Sequence, residues 1–128
     1  MILHLTDLSP EPLQAQIVRQ IRAKVLSGEL VAGNDLPSIR RFAREHHISV
    51  ITVQRAYEIL ERSGLIHSRR GKGFFVSDLT AKTKKAMAIE KLQDDVKPLL
   101  DGAVAEGLDG EEIKDAVLKL LEKSESRK

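Results

Sequence analysis

The sequence predicts a mostly α-helical fold that carries one small β-hairpin. Apolar residues recur at intervals of three and four along much of the chain, as in helices with one buried face. A basic stretch with two glycines, residues 69–73, lies between two short runs of strand-forming residues, which is typical of a hairpin. A chain of 128 residues holds one ordinary domain or a small domain with an appendage. We expect the second arrangement, with domains at 1–78 and 79–128.

The amino-acid composition limits where in the cell the protein is expected and which kinds of site it can contain. The chain has no cysteine, which excludes disulfides and thiolate metal sites. The first ten residues lack the basic and apolar segments of a secretory signal, and no apolar run approaches the length that spans a membrane. We therefore expect a cytoplasmic protein that does not enter a membrane.

The first helix is predicted over residues 10–27. Ser9 and Pro10 match an N-cap and a first helical residue, and Gly28 matches a helix stop. One face of this segment is apolar at helical spacing, through Leu13, Ile17, Ile21 and Val25. The connector that follows has turn chemistry at residues 33–35.

Two further helices are predicted close together. Ser38 caps a short helix that ends at His46 and His47, and Ser49 caps a helix that runs from residue 50 to Ser63. Gly64 stands at the left-handed stop position of this third helix. The inward residues are Ile39, Phe42 and Ala43 in the second helix, and Val53, Ala56, Tyr57 and Leu60 in the third. Two helices joined by a turn of three or four residues form a helix-turn-helix.

The third helix begins with residues that are poor helix formers. Val50, Ile51 and Thr52 are β-branched. Ile51 and Gln54 lie opposite the inward face, where an apolar side chain can contact a thymine methyl group and an amide can pair with adenine. The alternative is that Val50 and Ile51 pack against the hairpin or the second helix.

The charge distribution points to nucleic acid. Residues 36–72 contain eight Lys/Arg and three Glu, an excess of +5, whereas residues 81–128 are about neutral. Strands predicted at 65–68 and 74–77 flank a basic tip, so the hairpin is interpreted as a wing. A basic patch of this kind suggests a nucleic-acid surface, although a solvated charged face is its commoner meaning.

The remaining residues, 79–128, predict two helices. The first has an apolar seam, contains Pro98, which should kink or break it, and ends at Gly107. The second begins with Asp109 and Glu112 at capping-box spacing, and residues 123–128 are expected to fray. The apolar positions are Ile89, Leu92, Val96, Leu99 and Ala103, then Ile113, Ala116, Val117, Leu120 and Leu121. The segment is too small to bury both stripes alone, so we expect a homodimer.

The helix-turn-helix and wing together resemble the winged helix-turn-helix of the GntR family of bacterial transcription regulators. The short two-helix tail resembles the YtrA subfamily. The motifs that carry the resemblance are Leu36-Pro37-Ser38, Arg40, Thr52-Val53, Ala56-Tyr57, Leu60, Gly64-Leu65-Ile66 and Arg70-Gly71-Lys72-Gly73. The chain departs from the family at His47, where glycine is usual, and at Val50 and Ile51, where many relatives have arginine, asparagine or proline.

The resemblance implies a set of DNA-binding residues. It places Arg40 of the second helix on the operator and the start of the third helix in the major groove or on flanking phosphates. It brings the wing tip to the minor groove. The residues so implied are Arg40; Ser49, Val50, Ile51, Thr52, Gln54 and Arg55; and Arg69, Arg70, Gly71 and Lys72.

These observations predict a sequence-specific regulator, most simply a repressor that binds a palindromic operator in double-stranded DNA as a homodimer. The alternative is a winged-helix module that binds another protein, which would not need basic residues at both the second helix and the wing. An enzyme is not expected, since no nucleophile–base pair, phosphate loop or metal cluster is visible. We expect no cofactor and no metal, and the sequence leaves any small-molecule effector open.

Overall fold

The computed structural model describes residues 1–125, which form five helices and three strands. In chain order these are α1 (Leu13–Leu26), β1 (Asp35–Leu36), α2 (Ile39–His46), α3 (Val50–Arg62), β2 (Ile66–Arg69), β3 (Gly73–Val76), α4 (Ala81–Ala105) and α5 (Gly110–Glu125). The prediction of a mostly helical fold with a hairpin wing is confirmed. The chain divides into two compact units, Met1–Lys85 and Ala86–Lys128. The boundary predicted at 78/79 stays a prediction.

Helix α1 begins later than the sequence suggested. Its first residue is Leu13, and Pro12, with φ −57° and ψ 147°, occupies the N-cap position. A residue before proline avoids helical angles, so Glu11, which precedes Pro12, lies outside the helix, and a start at Pro10 was wrong. The hydroxyl of Ser9 accepts a 3.1 Å hydrogen bond from the Glu11 amide instead of capping the helix.

The core of the first unit contains one face of each of its helices. The fully buried residues include Ile17, Ile21 and Val25 of α1, Phe42 of α2, and Val53, Ala56, Tyr57 and Leu60 of α3. Gln16 of α1 is also buried, at 2% exposure. Its amide accepts from the Thr6 N–H at 3.0 Å and donates to the carbonyls of Thr6 and Glu11 at 2.8 Å, which ties the N-terminal segment to α1.

Local caps define the helix-turn-helix. The Ser38 hydroxyl accepts from the Arg41 amide at 3.1 Å at the start of α2. The turn passes through His47, whose φ of 55° is left-handed, and the Ile48 amide donates to the Ala43 carbonyl at 3.0 Å. Histidine is among the residues other than glycine that tolerate this conformation. The first helical residue after the turn is Val50, as predicted.

Helix α3 ends in the predicted glycine stop. Gly64 has φ 80°, and its N–H donates to the Glu61 carbonyl. The Leu65 N–H donates to the Leu60 carbonyl at 3.0 Å, so the chain reverses directly into the wing. The wing strands lie one residue from their predicted positions, at 66–69 and 73–76.

The sheet has a third strand that the sequence did not reveal. Strand β1 lies in the connector before α2 and pairs antiparallel with β3, with Leu36 opposite Phe74. Strand β3 pairs antiparallel with β2 on its other side, with Ser68 opposite Phe74, giving the order β1-β3-β2. The wing is therefore joined to the segment that leads into α2.

The second unit contains most of α4 and all of α5. Helix α4 continues through Pro98, so the proline does not end it, and Gly107, with φ 100°, follows its last turn as predicted. Asp109 and Glu112 exchange hydrogen bonds of 2.9 and 3.0 Å, which confirms the capping box at the start of α5. Of the tail predicted to fray, residues 123–125 are helical and residues 126–128 lie outside the described part.

Neither helix of this segment buries a residue in the single chain. The exposed large apolar residues are Ile89, Leu92, Leu99, Leu100, Val104, Leu108, Val117, Leu118, Leu120 and Leu121. Among residues 1–125, no helix combines the length and apolar character needed to cross a membrane.

Candidate nucleic-acid interface

The first turns of α3 present an exposed face opposite the core. Val50 is 44% and Ile51 60% exposed, and Gln54 and Arg55 are exposed as well. The larger part of the Ile51 side chain is therefore open to solvent, whereas Val50 is more than half covered, and the contact of either residue with DNA stays a prediction. We refer to residues 50, 51, 54 and 55 as the α3 outer face.

Two site residues at the start of α3 form its N-terminal cap. The Ser49 hydroxyl accepts from the Thr52 amide at 3.1 Å and lies 2.8 Å from the Thr52 hydroxyl. The cap satisfies one backbone donor, while the helix N-terminus keeps the partial positive charge that favours phosphate. The poor helical propensity of the β-branched residues is thus partly offset by capping.

Two neighbouring arginines of α2 have different surroundings. The Arg41 guanidinium donates to the Glu45 carboxylate at 2.8 Å, and this bond raises the pKa of Arg41 and lowers the pKa of Glu45. Arg40 is exposed, and within the described chain it forms no ion pair. Of these two arginines, Arg40 is the one that remains available to an external anion.

The wing tip is a tight turn with free cations. The Lys72 amide donates to the Arg69 carbonyl at 2.9 Å, and Gly71, at φ 74°, supplies the left-handed conformation that the turn requires. Arg70 and Lys72 are exposed and have no ion-pair partner in the part of the chain that the structure describes. The Arg69 guanidinium instead lies over the Phe75 ring, 4.9 Å from its centroid.

One aromatic ring joins the elements that carry the three groups. The Tyr57 ring of α3 meets Phe42 of α2 edge-on at 5.9 Å and Phe74 of the wing edge-on at 5.0 Å. Arg40, the α3 outer face and the wing tip therefore stand on elements that share one core. Tyr57 is 1% exposed, which confirms its predicted place in the core.

Glu61 is a further polar residue at this surface, and it was not predicted from the sequence. Its carboxylate accepts two hydrogen bonds from Ser68, 3.1 Å from the amide and 2.7 Å from the hydroxyl. The feature that could have identified it is an acidic residue in the last turn of a helix, where the helix dipole disfavours negative charge.

A comparison with known families matches this part of the molecule. The model of the gntR family of bacterial regulatory proteins covers residues 13–76, from the first residue of α1 to the last of β3. The chain belongs to the GntR family. It is a DNA-binding transcription regulator of YtrA type and not an enzyme, as its relatives indicate.

Individual relatives extend the similarity beyond residue 76. YhcF, an uncharacterized HTH-type transcriptional regulator of Bacillus subtilis (strain 168), is 32% identical over 119 residues, which cover 89% of this chain and 93% of that protein. The transcriptional repressor YtrA of the same organism is 30% identical over 105 residues, covering 82% and 81%. A transcriptional regulator from Oenococcus oeni, solved as a crystal structure, is 30% identical with a TM-score of 0.71, covering 94% of this chain and 99% of that one.

Proposed function

We propose that this GntR-family regulator is a cytoplasmic repressor that binds a palindromic operator as a homodimer. The α3 outer face enters the major groove, Arg40 contacts the backbone or a base beside it, and Arg70 and Lys72 reach the minor groove or its phosphates. The repressor role is supported by the relative YtrA, which is itself a transcriptional repressor.

The observation that carries this proposal is the state of the basic side chains. Arg40, Arg55, Arg70 and Lys72 are exposed, and none of them forms an ion pair within residues 1–125. Phosphate binding by such side chains releases counterions, which supplies nearly all of the non-specific affinity for DNA and a large share of the specific affinity. A module that binds another protein does not require free cations on both α2 and the wing.

The homodimer is supported by the exposed apolar residues of α4 and α5. Burying one leucine side chain stabilises by roughly 1.5–3 kcal/mol, and a single chain leaves Leu92, Leu99 and Leu120 exposed. Monomeric proteins rarely keep large apolar patches in water. A second copy would cover these residues and present two α3 helices to the two halves of a palindrome.

Mobility shift and footprinting with the region upstream of the chain's own gene test DNA binding. We expect a protected site with two related half-sites and an affinity that falls steeply with salt. Replacing Arg40 by alanine should weaken the complex, whereas replacing Arg41, which is paired with Glu45, should have a smaller effect. Equal binding of all three proteins would contradict the proposed Arg40 contact, and no binding at any salt concentration would favour the protein-interaction alternative.

Sedimentation of the full chain tests the dimer. We expect a dimer at micromolar concentration and a monomer after Leu92→Glu, because the charge would enter the interface. Gln93→Glu adds the same charge at the next position of α4 and should leave the dimer intact. A wild-type chain that sediments as a monomer throughout this range would contradict the proposal.

A further inference from the structure

The Glu61–Ser68 contact joins the last turn of α3 to the outer half of the wing. One carboxylate oxygen accepts both the Ser68 amide, at 3.1 Å, and the Ser68 hydroxyl, at 2.7 Å. Such hydrogen bonds to a charged acceptor are stronger than those between neutral groups. The contact lies two residues before Arg70.

The base of the wing is held by the core, but its outer half is not. Ile66 and Val76, paired across the strands, are each 1% exposed. All residues from Ser68 to Gly73 are exposed. Phe74, opposite Ser68, is half-buried against Tyr57 and marks the outer limit of packing. At that pair, the Glu61 carboxylate of α3 bonds Ser68, the first of the exposed residues of the outer half.

Glu61 occupies a place that is unfavourable by simple electrostatics. It lies in the last turn of α3, where the helix dipole disfavours an anion, and beside a surface that should attract phosphates. It forms no ion pair within the described chain. The two hydrogen bonds from Ser68 are thus the local interaction that offsets the unfavourable position of the Glu61 carboxylate.

The position of Ser68 determines the position of the tip. Ser68 adjoins Arg69, whose carbonyl accepts the Lys72 amide at 2.9 Å and closes the turn. Because the turn is closed, a shift of Ser68 carries Arg70 and Lys72 with it. Preorganised groups bind more tightly, since less ordering is required on association.

We propose that Glu61 is a positioning residue for the wing: its carboxylate holds Ser68 so that Arg70 and Lys72 meet DNA together with the α3 outer face. This inference rests on the proposed function, in which the wing contacts the operator. It predicts that loss of the Glu61 carboxylate weakens DNA binding, although removing a negative charge near DNA would by itself strengthen binding.

The test measures operator affinity and its salt dependence for the full-length chain. Glu61→Ala should weaken binding by about 3- to 10-fold and flatten the plot of log affinity against log salt, because wing contacts are lost. Glu61→Gln, which keeps an acceptor oxygen, should retain part of the affinity, and Ser68→Ala should show a smaller loss of the same kind. Glu58→Gln removes the same charge one turn earlier on α3, keeps an acceptor oxygen for the side-chain amide of Gln54, and should leave binding unchanged or slightly tighter.

A double-mutant cycle separates positioning from other effects. If Glu61 acts through the wing, adding Glu61→Ala to Arg70→Ala/Lys72→Ala should cause little further loss. Full additivity, or binding by Glu61→Ala as tight as wild type, would overturn the inference while leaving the proposed wing contact in place. If Arg70→Ala/Lys72→Ala alone binds like wild type, the wing contact and the inference both fail. Ser68→Ala and Glu61→Gln decide the matter should Glu61→Ala not fold.

Discussion

The Tyr57 hydroxyl donates a 2.7 Å hydrogen bond to the backbone carbonyl of Pro37. Tyr57 belongs to α3, and Pro37 immediately precedes Ser38, the N-cap of α2. The bond therefore joins the α3 helix to the point where α2 begins. The Tyr57 ring also lies against the wing, so one side chain holds the three elements that carry the proposed DNA contacts.

We expect Tyr57→Phe to lower the free energy of unfolding by about 1–2 kcal/mol. The ring contacts remain, but the Pro37 carbonyl loses its partner. Tyr57→Ala should lose several kcal/mol because the core then contains a cavity. Urea unfolding of both variants measures the difference. Equal stability of Tyr57→Phe and the wild type would show that water replaces the hydroxyl without loss.

Burial should also be visible in the titration of Tyr57. Removal from water raises the pKa of its phenol above the ordinary value of 10.0. The folded state thus holds the proton more tightly than the unfolded state, so this contribution to stability is full below pH 10 and is lost as the pH rises above it.

The chain contains one tyrosine and no tryptophan, so phenolate absorbance reports on Tyr57 alone. We expect the native protein to form phenolate only well above pH 10, and the urea-unfolded protein to titrate near its ordinary value. Stability measured above that pH should fall less for Tyr57→Phe than for the wild type. If the Tyr57 phenol titrated at the same pH in the native and the unfolded protein, its hydroxyl would be exposed to water, contrary to this expectation.

Gln16 should be important for stability although it is polar. Gln16→Ala removes three hydrogen bonds to the N-terminal segment and should lower the free energy of unfolding by about 1–3 kcal/mol. Gln20 bonds both backbone groups of His4 in the same way but is less buried, so Gln20→Ala provides a matched control with a smaller loss. Thermal unfolding compares the two variants. If Gln20→Ala lost more free energy of unfolding than Gln16→Ala, burial would not decide which of the two glutamines matters more for stability.

The left-handed turn predicts opposite effects at two adjacent histidines. His47→Gly should stabilise by about 0.5 kcal/mol, because a side chain at positive φ is strained and the greater freedom of unfolded glycine offsets only part of the gain. His46→Gly should destabilise by about 1 kcal/mol or more, since His46 is helical and its ring lies 4.3 Å from that of Phe42. Chemical unfolding measures both. Two changes of the same sign would contradict the assigned conformations.

The variant Ile51→Ala distinguishes a role of Ile51 in DNA recognition from a role in packing of the core. Because Ile51 is 60% exposed, Ile51→Ala should leave stability unchanged or slightly raised. If its side chain meets a thymine methyl group, operator affinity should fall by about 1 kcal/mol. Replacing that thymine by uracil removes the same contact, so the two changes should not add. Additive losses would place Ile51 elsewhere in the complex.

Local interactions made much of the fold predictable. Val53, Ala56, Tyr57 and Leu60 repeat at the helical period, which identified the inner face of α3 and, by exclusion, its outer face. The caps and stops were equally visible because each joins groups a few residues apart. The start of α1 was missed because Pro10 matches the rule for a first helical residue, whereas Pro12, two residues later, occupies the N-cap and keeps Glu11 out of the helix.

Features that depend on distant partners were not predictable. Strand β1 has two residues, too few to show alternation, and it exists only because β3 lies beside it. Gln16 breaks the apolar pattern of α1, and its partners belong to an irregular segment. No local sequence motif predicts the contact between Glu61 and Ser68, because it depends on how strand β2 packs against the end of α3.

The pairing of β1 with β3 has a consequence for the order in which this domain folds. Leu36 and Phe74 face each other although 38 positions separate them in the chain, whereas the strands of the wing are neighbours in sequence. Closing so long a loop costs conformational entropy before any contact compensates for it. We expect the helix-turn-helix and the hairpin to form first and the two-residue strand to join last, so that substitutions in β1 speed unfolding more than they slow folding.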